Sequence, residues 1–292
     1  MIALGEAHHT SGGFYQAKSA LIKYLILKKN FRAVAFESNW ISAQSINDYI
    51  LGKTNDAKTA LLTGGYRVWF DESILQLIIW IRNYNDSHPN EKVVFFGFDM
   101  QDPASAESYL NTNSNLLKKA AEITVSSYQK RKKCWETQIT ADNSEPEICM
   151  TIRDEAMADI FMFLKTIYAP NKKTIIWAAN GHIQKHGDIF KPMGYFLSKK
   201  LGLSYASVLL VASRYDTYQN WVNPVAAQLE APKESLEEWA ETFGYDSLFI
   251  DMKKLNPALF GMSEEQFVAH GPLNYVDGAI YLKTSEAMTL VD

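Results

Sequence analysis

The chain has 292 residues, of which 47% are hydrophobic, 21% charged and 13% aromatic. This ordinary globular composition excludes a disordered or fibrous chain and provides enough apolar side chains for a large buried core. The formal net charge of −4 argues against nucleic acid as a partner, and no apolar run approaches the roughly 18 residues that a membrane span requires.

From the N-terminus onward, short apolar runs alternate with longer segments of helical periodicity, which lie at 13–29, 41–50 and 71–85. The apolar runs are β-branched or aromatic and nearly continuous, which is typical of strands covered on both faces. We predict strands at 2–4, 33–36, 93–98, 174–178, 206–212, 247–250 and 275–282. This alternation predicts an α/β fold, with a mainly parallel sheet and helices on both of its faces.

The stretch 104–172 is more polar than the rest and contains no convincing strand. Helical periodicity returns at 146–168, where Ile152, Ala156 and Ile160 fall on one stripe. We therefore expect one α/β domain over 1–292, in which 104–172 is a helical insertion that packs beside the sheet as a cap. A loop and a short helix are expected at 256–272.

The cysteines and the N-terminus bear on the cellular compartment. Cys134 and Cys149 are not a framework of several disulfides, and although a lone bridge is possible, free thiols in a reducing compartment are the default expectation. No signal peptide precedes the first strand, which predicts a cytoplasmic location. Because only Met1 precedes this strand, we also expect natural residues upstream.

A polar or ionisable side chain follows each of the first six predicted strands. Ligands bind at the carboxyl edge of an open parallel sheet, so six such groups gathered at one edge indicate a site. In chain order they are Glu6, His8 and His9, then Glu37, Asp99, Asn180 with His182, Ser213 with Arg214, and Asp251. Structural explanations remain open, since Asp99 or Asp251 can simply cap the next helix and His8 can simply pack.

The residue types point to chemistry by carboxylates and histidines. The chain contains no G-x-S-x-G elbow, no G-x-G-x-x-G after a strand, no phosphate-binding loop, no H-E-x-x-H and no paired C-x-x-C. A serine or cysteine nucleophile therefore has no signature. Carboxylates and histidines can perform general-base hydrolysis or bind a metal that does so.

Several segments, taken in order, resemble the erythromycin esterase family. They are G-E-A-H-H at 5–9, the helix F-Y-Q-A-K-S-A-L-I-K-Y-L at 14–25, F-R-A-V-A-F-E-S-N-W at 31–40, W-I-R-N-Y-N at 80–85, F-F-G-F-D-M-Q at 95–101, R-D-E-A-M-A-D at 153–159, A-A-N-G-H-I-Q-K at 178–185, P-M-G at 192–194 and N-Y-V-D-G-A-I-Y at 274–281. The resemblance covers most of the chain outside about 104–145.

This resemblance implies a set of catalytic residues. The G-E-x-x-H motif of the family places its acid on Glu6 and its general-base histidine on His9, while the second acid falls on Glu37 and a distal histidine on His182. A basic residue of the first helix, often arginine in the family, falls on Lys18. In macrolide esterases, the segment around the distal histidine resembles A-H-N-x-H and so contains two histidines. The first of them is replaced here by Ala179, which predicts poor macrolide hydrolysis.

We therefore expect metal-independent hydrolysis of a small-molecule ester or lactone. His9 would deprotonate water, Glu6 or Glu37 would orient His9, and His182 with Lys18 would polarise the ester carbonyl. Substrate binding is assigned to Lys18, His8, Asp99, Asn180 and Arg214. Two alternatives remain open: the same glutamates and histidines around a divalent metal such as Zn²⁺ or Mn²⁺, and a small-molecule-binding protein without turnover.

Overall fold

A computed structural model describes residues 1–110, 116–138, 146–187, 189–218, 225–233, 235–255 and 275–291. Within these residues eight strands form one sheet. They are β1 (Ile2–Leu4), β2 (Phe31–Asn39), β3 (Val94–Asp99), β4 (Lys173–Trp177), β5 (Ala206–Tyr218), β6 (Ala226–Glu230), β7 (Ser247–Asp251) and β8 (Gly278–Ser285). The predicted strands at 33–36 and 206–212 are thus longer in the structure, and the others lie close to their predicted positions.

The helices of the described residues pack on both faces of this sheet. They are α1 (Gly12–Lys29), α2 (Gln44–Ile50), α3 (Ala57–Gly64), α4 (Glu72–Ser87), α5 (Pro103–Leu110), α6 (Lys118–Thr137), α7 (Glu147–Tyr168), α8 (Asn180–Ile183), α9 (Met193–Leu201) and α10 (Leu236–Glu241). Short 3₁₀ turns lie at Arg67–Trp69 and Gly202–Ser204. Among the described helices, none combines the length and the apolar character needed to cross a bilayer.

The strand order is β3-β2-β4-β1-β5-β8-β7, with β6 paired to β5 outside this path. All neighbours from β3 to β8 run parallel, which confirms the predicted mainly parallel sheet. The carboxyl ends of β1 to β4 therefore meet at one edge of the sheet.

Two strands depart from the parallel arrangement. β7 runs antiparallel to β8, with Asp251 paired to Gly278 at the start of that strand. The expectation that Asp251 joins the other polar residues at one edge is therefore wrong, because the carboxyl end of β7 lies at the opposite edge. β6, which is antiparallel to β5, was not predicted, since its residues Ala226–Glu230 alternate between exposed and half-buried and include no apolar run.

Neighbouring residues of the central strands are buried on opposite faces. Ile176 belongs to the hydrophobic cluster that contains Met157 and Phe161 of α7, whereas Ile175 belongs to the one that contains Ile22 of α1 and Ile78 of α4. Successive side chains of a strand point to opposite faces, so a strand covered on both sides needs an apolar residue at every position. This is why the sequence shows continuous apolar runs here.

The stretch 104–172 contributes α5, α6 and α7, and its described part contains no strand before the start of β4. α7 packs against β3 and α9, and α6 packs against α5 and α7. Cys134 of α6 and Cys149 of α7 form a disulfide, with their Cα atoms 5.7 Å apart. The expectation of free thiols is therefore wrong, because the two cysteines lie near adjacent helix ends that the fold brings together. The predicted loop and helix at 256–272 lie outside the described residues.

Candidate active site

The carboxyl ends of four parallel strands bring the candidate catalytic residues together. Glu6 and His9 lie in the loop that follows β1, Glu37 lies near the end of β2, Asp99 ends β3, and His182 lies in α8 just after β4. Apart from half-buried His9, all of these residues are buried. Residues from distant parts of the chain thus form one cluster because of strand order.

One half of the cluster is built on a buried ion pair. Glu6 is fully buried and contacts the Lys18 ammonium of α1, which also donates to the Ala178 carbonyl oxygen at 3.1 Å and lies over the Trp177 ring. Burial lowers the pKa of Lys18 well below its ordinary value, and the charge of Glu37 only partly opposes this effect. Lys18 therefore serves as a buried partner that holds Glu6 in place, and it has no exposed surface for a substrate.

Glu6 also orients the imidazole of His9 and determines which of its ring nitrogens carries the proton. The Nδ1 atom of His9 lies 2.9 Å from Glu6 Oε1, so a neutral His9 donates Nδ1–H there and carries its basic lone pair on Nε2. The imidazole packs edge-on against Trp69, with ring centroids 5.0 Å apart, and its side chain is 26% exposed. Burial lowers the pKa of His9 to about 4, partly opposed by the charge of Glu37. His9 is therefore a neutral, oriented base at neutral pH.

The other half of the cluster is organised by Arg153 of α7. Its Nη2 atom donates to Glu37 Oε1 and to Asp99 Oδ2, both at 2.8 Å, and its Nε atom donates to Asp99 Oδ1 at 3.2 Å. Burial disfavours charge on Glu37, but His182 and Arg153 outweigh this effect and hold its pKa well below the usual value. Both carboxylates are therefore ionised although they are buried.

The pKa of His182 is shifted in the opposite direction from that of His9. Its Nδ1 lies 2.7 Å from Asp154 Oδ1, and its Nε2 lies 3.3 Å from Glu37 Oε1 and 3.2 Å from Arg153 Nη1. Burial lowers the pKa of His182, but the two carboxylates outweigh this effect and raise it to about 10. The two histidines of the cluster thus have pKa values shifted in opposite directions, and such divergent environments mark acid–base sites.

Two predicted substrate-binding residues make structural contacts. His8 Nδ1 lies 2.8 Å from Thr217 Oγ1 of β5. The amide of Asn180 donates to the Leu210 carbonyl oxygen at 2.9 Å, and a Cβ on Gly5 would lie 2.1 Å from Asn180 Oδ1. Asn180 thus ties α8 to β5, which requires the glycine of the G-E-A-H-H segment.

Arg214 lies apart from the cluster. Its side chain is exposed and lines a different, charged pocket with Glu230, Glu238 and Lys283. Substrate binding by Arg214 at the cluster is therefore not supported by its position. β5 continues past Ser213 to Tyr218, so the polar residues there are part of the strand rather than a loop after it.

Arg153, Asp154 and Trp69 belong to the site although no site role was predicted for them. A signal for Arg153 was present, since it precedes buried Ala156 and Met157 by three and four positions and so lies on the buried face of α7. A charge on such a face requires a partner. Trp69, whose indole donates to the Glu37 carbonyl oxygen at 3.0 Å, lies in a short turn without a comparable signal.

The donor set does not fit the metal-centred alternative. Within the ranges that the structure describes, no group of three or more histidine, cysteine or acidic side chains is arranged to hold a metal ion. Glu6 is paired with Lys18, and Glu37 and Asp99 are paired with Arg153. A divalent ion would have to displace buried cations from these carboxylates.

Comparison with known sequences identifies relatives. A family model described as erythromycin esterase matches residues 26–145 and 105–285. The erythromycin esterase type II of Escherichia coli is 29% identical over 110 residues, which is 38% of this chain and 25% of that protein. The "Putative hydrolase YbfO" of Bacillus subtilis (strain 168) is 23% identical in an alignment 379 residues long. This alignment covers 97% of this chain and 83% of that protein. The matched stretch thus spans only a quarter of the Escherichia coli esterase.

Solved structures share the fold. A Bacillus cereus protein has a TM-score of 0.73 at 19% identity, covering 100% of this chain and 90% of that one. A succinoglycan biosynthesis protein has a TM-score of 0.74 at 17% identity, covering 98% and 88%. A mutant of the erythromycin esterase EreC in its open conformation has a TM-score of 0.68 at 16% identity, covering 100% and 92%. At these identities the likeness concerns the fold.

Proposed function

The chain belongs to the erythromycin esterase family, and from this membership we propose that it hydrolyses an ester or a macrolactone with an activated water molecule. The single observation that carries the proposal is the Lys18–Glu6–His9 arrangement. It holds a neutral imidazole in one tautomer at the carboxyl edge of the sheet. No covalent intermediate is required.

In the proposed mechanism, His9 takes a proton from water at Nε2 while the water oxygen attacks the acyl carbon and the carbonyl π pair moves onto the acyl oxygen. When the carbonyl re-forms, the bond to the alkoxide breaks, and His9 returns the proton to the leaving alkoxide. Glu6 accepts the Nδ1–H bond at 2.9 Å and stabilises the imidazolium that forms. Because Glu6 contacts both Lys18 and His9, its carboxyl group fixes the orientation of His9, and burial keeps the imidazole neutral in the resting state. General-base assistance of this kind is worth about 10²- to 10⁴-fold in rate.

Two cations on the other side of the cluster stabilise the negative charge that develops on the acyl oxygen. His182 is held as an imidazolium by Asp154 and Glu37, and Arg153 is held by Glu37 and Asp99. Fixed charges in a buried site need no reorganisation during the reaction and act strongly there. This assigns to His182 and Arg153 the polarising role first expected of His182 and Lys18.

We propose that residues 1–292 act as one hydrolytic domain, in which the helices of 104–172 cover the sheet edge as a cap. We also propose a cytoplasmic location, against which the Cys134–Cys149 disulfide stands as the contrary observation, since such bonds are more typical of oxidising compartments.

The proposal is tested by incubating the protein and its His9→Ala variant with macrolides and with small esters, and reading products by mass spectrometry as a gain of one water. Hydrolysis by the unaltered protein and its loss in the variant are the expected results. A chelator arm should leave the rate unchanged. Binding of these compounds, seen as a rise in melting temperature, without any turnover would instead identify a small-molecule-binding protein.

A further inference from the structure

The backbone of Thr10 is strained directly beside the proposed general base, His9. Its φ is 65°, in the left-handed region that β-branched residues rarely adopt, and the residue is buried. Backbone of this kind persists only where the surrounding structure holds it, and it is common at active sites. The contacts that hold Thr10 therefore also set the direction of the chain at His9.

Two buried hydroxyl groups hold this part of the loop. The Thr10 backbone N–H donates to the hydroxyl oxygen of Tyr15 in α1 at 2.7 Å. From β5, the hydroxyl group of Thr217 donates to the His9 carbonyl oxygen at 2.9 Å, and it lies 2.7 Å from Thr10 Oγ1. Both sides of the peptide bond between His9 and Thr10 are thus fixed by side chains from other elements.

The Tyr15 hydroxyl also reaches a second segment of the site. It donates to the Val68 carbonyl oxygen at 2.9 Å, in the short turn that contains Trp69. Trp69 packs edge-on against the His9 ring and donates its indole N–H to the Glu37 carbonyl oxygen. A single hydroxyl group therefore joins the loop that carries His9 to the turn that packs against its imidazole.

The position of Tyr15 excludes direct contact with a substrate. Its side chain is fully buried, and its ring lies 5.6 Å from both the Trp69 and the Trp177 rings, measured between centroids. Its hydroxyl is engaged as an acceptor from one segment and as a donor to the other. Any effect of Tyr15 on hydrolysis must therefore pass through these two segments.

We propose that Tyr15 is a positioning residue that holds His9 in its catalytic orientation. This inference rests on the proposed hydrolysis, in which His9 is the general base. Without the hydroxyl, the Thr10 N–H and the Val68 carbonyl oxygen lose their shared partner. The His9 loop and the Trp69 turn are then free to shift against each other, so the imidazole loses its fixed orientation and water gains access to it.

The test compares Tyr15→Phe with Tyr281→Phe, each of which removes the hydroxyl from a fully buried ring. The control residue packs in the hydrophobic cluster on the other face of the sheet, where its hydroxyl lies 2.8 Å from Ser213 Oγ. Both variants should melt lower, because both lose buried hydrogen bonds. Only Tyr15→Phe should lower kcat on p-nitrophenyl acetate, by about 10²-fold with little change in KM, since a displacement of about 1 Å can cost this much.

A second readout follows His9 itself, by NMR titration of its imidazole, with His9→Ala to assign the resonance. Burial is the largest cause that holds the pKa of His9 at about 4, so entry of water should raise this pKa toward the ordinary value in Tyr15→Phe. Tyr281→Phe should leave it unchanged. The charged and titratable groups around His9 are the same in both variants, namely Glu6, Glu37, Arg153, His182 and His8.

A folded Tyr15→Phe variant in which either kcat or the His9 pKa is unchanged would overturn the inference, since a purely structural tyrosine affects only the melting temperature. If Tyr15→Phe does not fold, amide hydrogen exchange of Thr10 in the unaltered protein decides, because an N–H held by Tyr15 exchanges slowly and rapid exchange would overturn the inference. If the unaltered protein is no faster than His9→Ala on p-nitrophenyl acetate and on erythromycin, the proposed hydrolysis fails on these substrates. The His9 pKa then decides by itself whether Tyr15 holds the imidazole.

Discussion

At the scale of single residues, adjacent His8 and His9 have different surroundings. His9 is held by Glu6 from the loop after β1 and faces Trp69, whereas His8 contacts Thr217 of β5. Backbone direction alone turns one imidazole toward the cluster and the other away from it. The two histidines therefore form a natural pair of test and control positions.

His9→Ala should lower the rate of ester hydrolysis by about 10²- to 10⁴-fold, since it removes the general base. The fold should persist, because His9 is half-buried in a loop and contributes little to the core. His8→Ala should retain most of the activity. Steady-state kinetics together with circular dichroism check this pair, and the reverse pattern would show that the two roles are interchanged.

The resemblance to macrolide esterases places the first histidine of their A-H-N-x-H segment on Ala179. The backbone N–H of Ala179 donates to Glu37 Oε2 at 3.0 Å. We predict poor macrolide hydrolysis by this protein and a gain in Ala179→His, because a missing positioning group can cost about 10²-fold in rate. The backbone hydrogen bond to Glu37 is retained in the variant. Erythromycin turnover is measured beside a small ester as control, and rapid macrolide hydrolysis by the unaltered protein would contradict the prediction.

At the scale of elements, α7 holds the charged half of the site. Adjacent Arg153 and Asp154 reach Glu37, Asp99 and His182, and the Cys149 disulfide lies one turn earlier on the same helix. The helix that covers one face of the sheet thus also neutralises the carboxylates at its edge. Its position relative to β2 and β4 sets the geometry of these ion pairs.

Removal of the disulfide in Cys134→Ser/Cys149→Ala should lower the free energy of unfolding by about 3 kcal/mol, the loop-entropy value for a closed loop of 15 residues. Guanidinium chloride denaturation, with and without a phosphine reductant, measures the change. Reductant should destabilise the unaltered protein and leave the double variant unaffected. Equal unfolding midpoints for the oxidised protein and the double variant would contradict the prediction.

At the scale of the whole molecule, stability should fall on both sides of about pH 6.5. His182 has a folded pKa of about 10 against 6.5 for the free side chain, so its contribution is complete below pH 6.5 and is lost as the pH rises toward 10. His9 has a folded pKa of about 4, so the unfolded chain binds this proton first and stability falls as the pH drops from 6.5 toward 4.

Unfolding midpoints measured from pH 4 to 10 check this profile. His182→Gln is less stable overall, since it leaves Asp154 and Glu37 without their imidazolium, but its stability should depend less on pH between 6.5 and 10. His88→Gln, on the surface end of α4, is the matched control and should keep the alkaline slope. Parallel alkaline slopes for His182→Gln and the unaltered protein would contradict the assigned charge state.

The predicted strands and the order of polar residues after them are already contained in the amino-acid sequence. Continuous apolar runs such as that around Ile175 and Ile176 indicate that a strand is buried on both faces. The Glu6–His9 contact joins residues only three positions apart in the sequence. Such signals are local, because periodicity and short spacing depend on the geometry of one strand or one turn.

Contacts between distant positions are decided by the folded chain. Arg153 meets Glu37 across 116 positions, and no local pattern records which buried charge pairs with which. The antiparallel direction of β7, which removes Asp251 from the site, also depends on how the chain returns to the sheet. Hydrophobic periodicity reports which side chains are buried but is the same for both strand directions, so strand direction and the ion-pair partners of the site follow from packing alone.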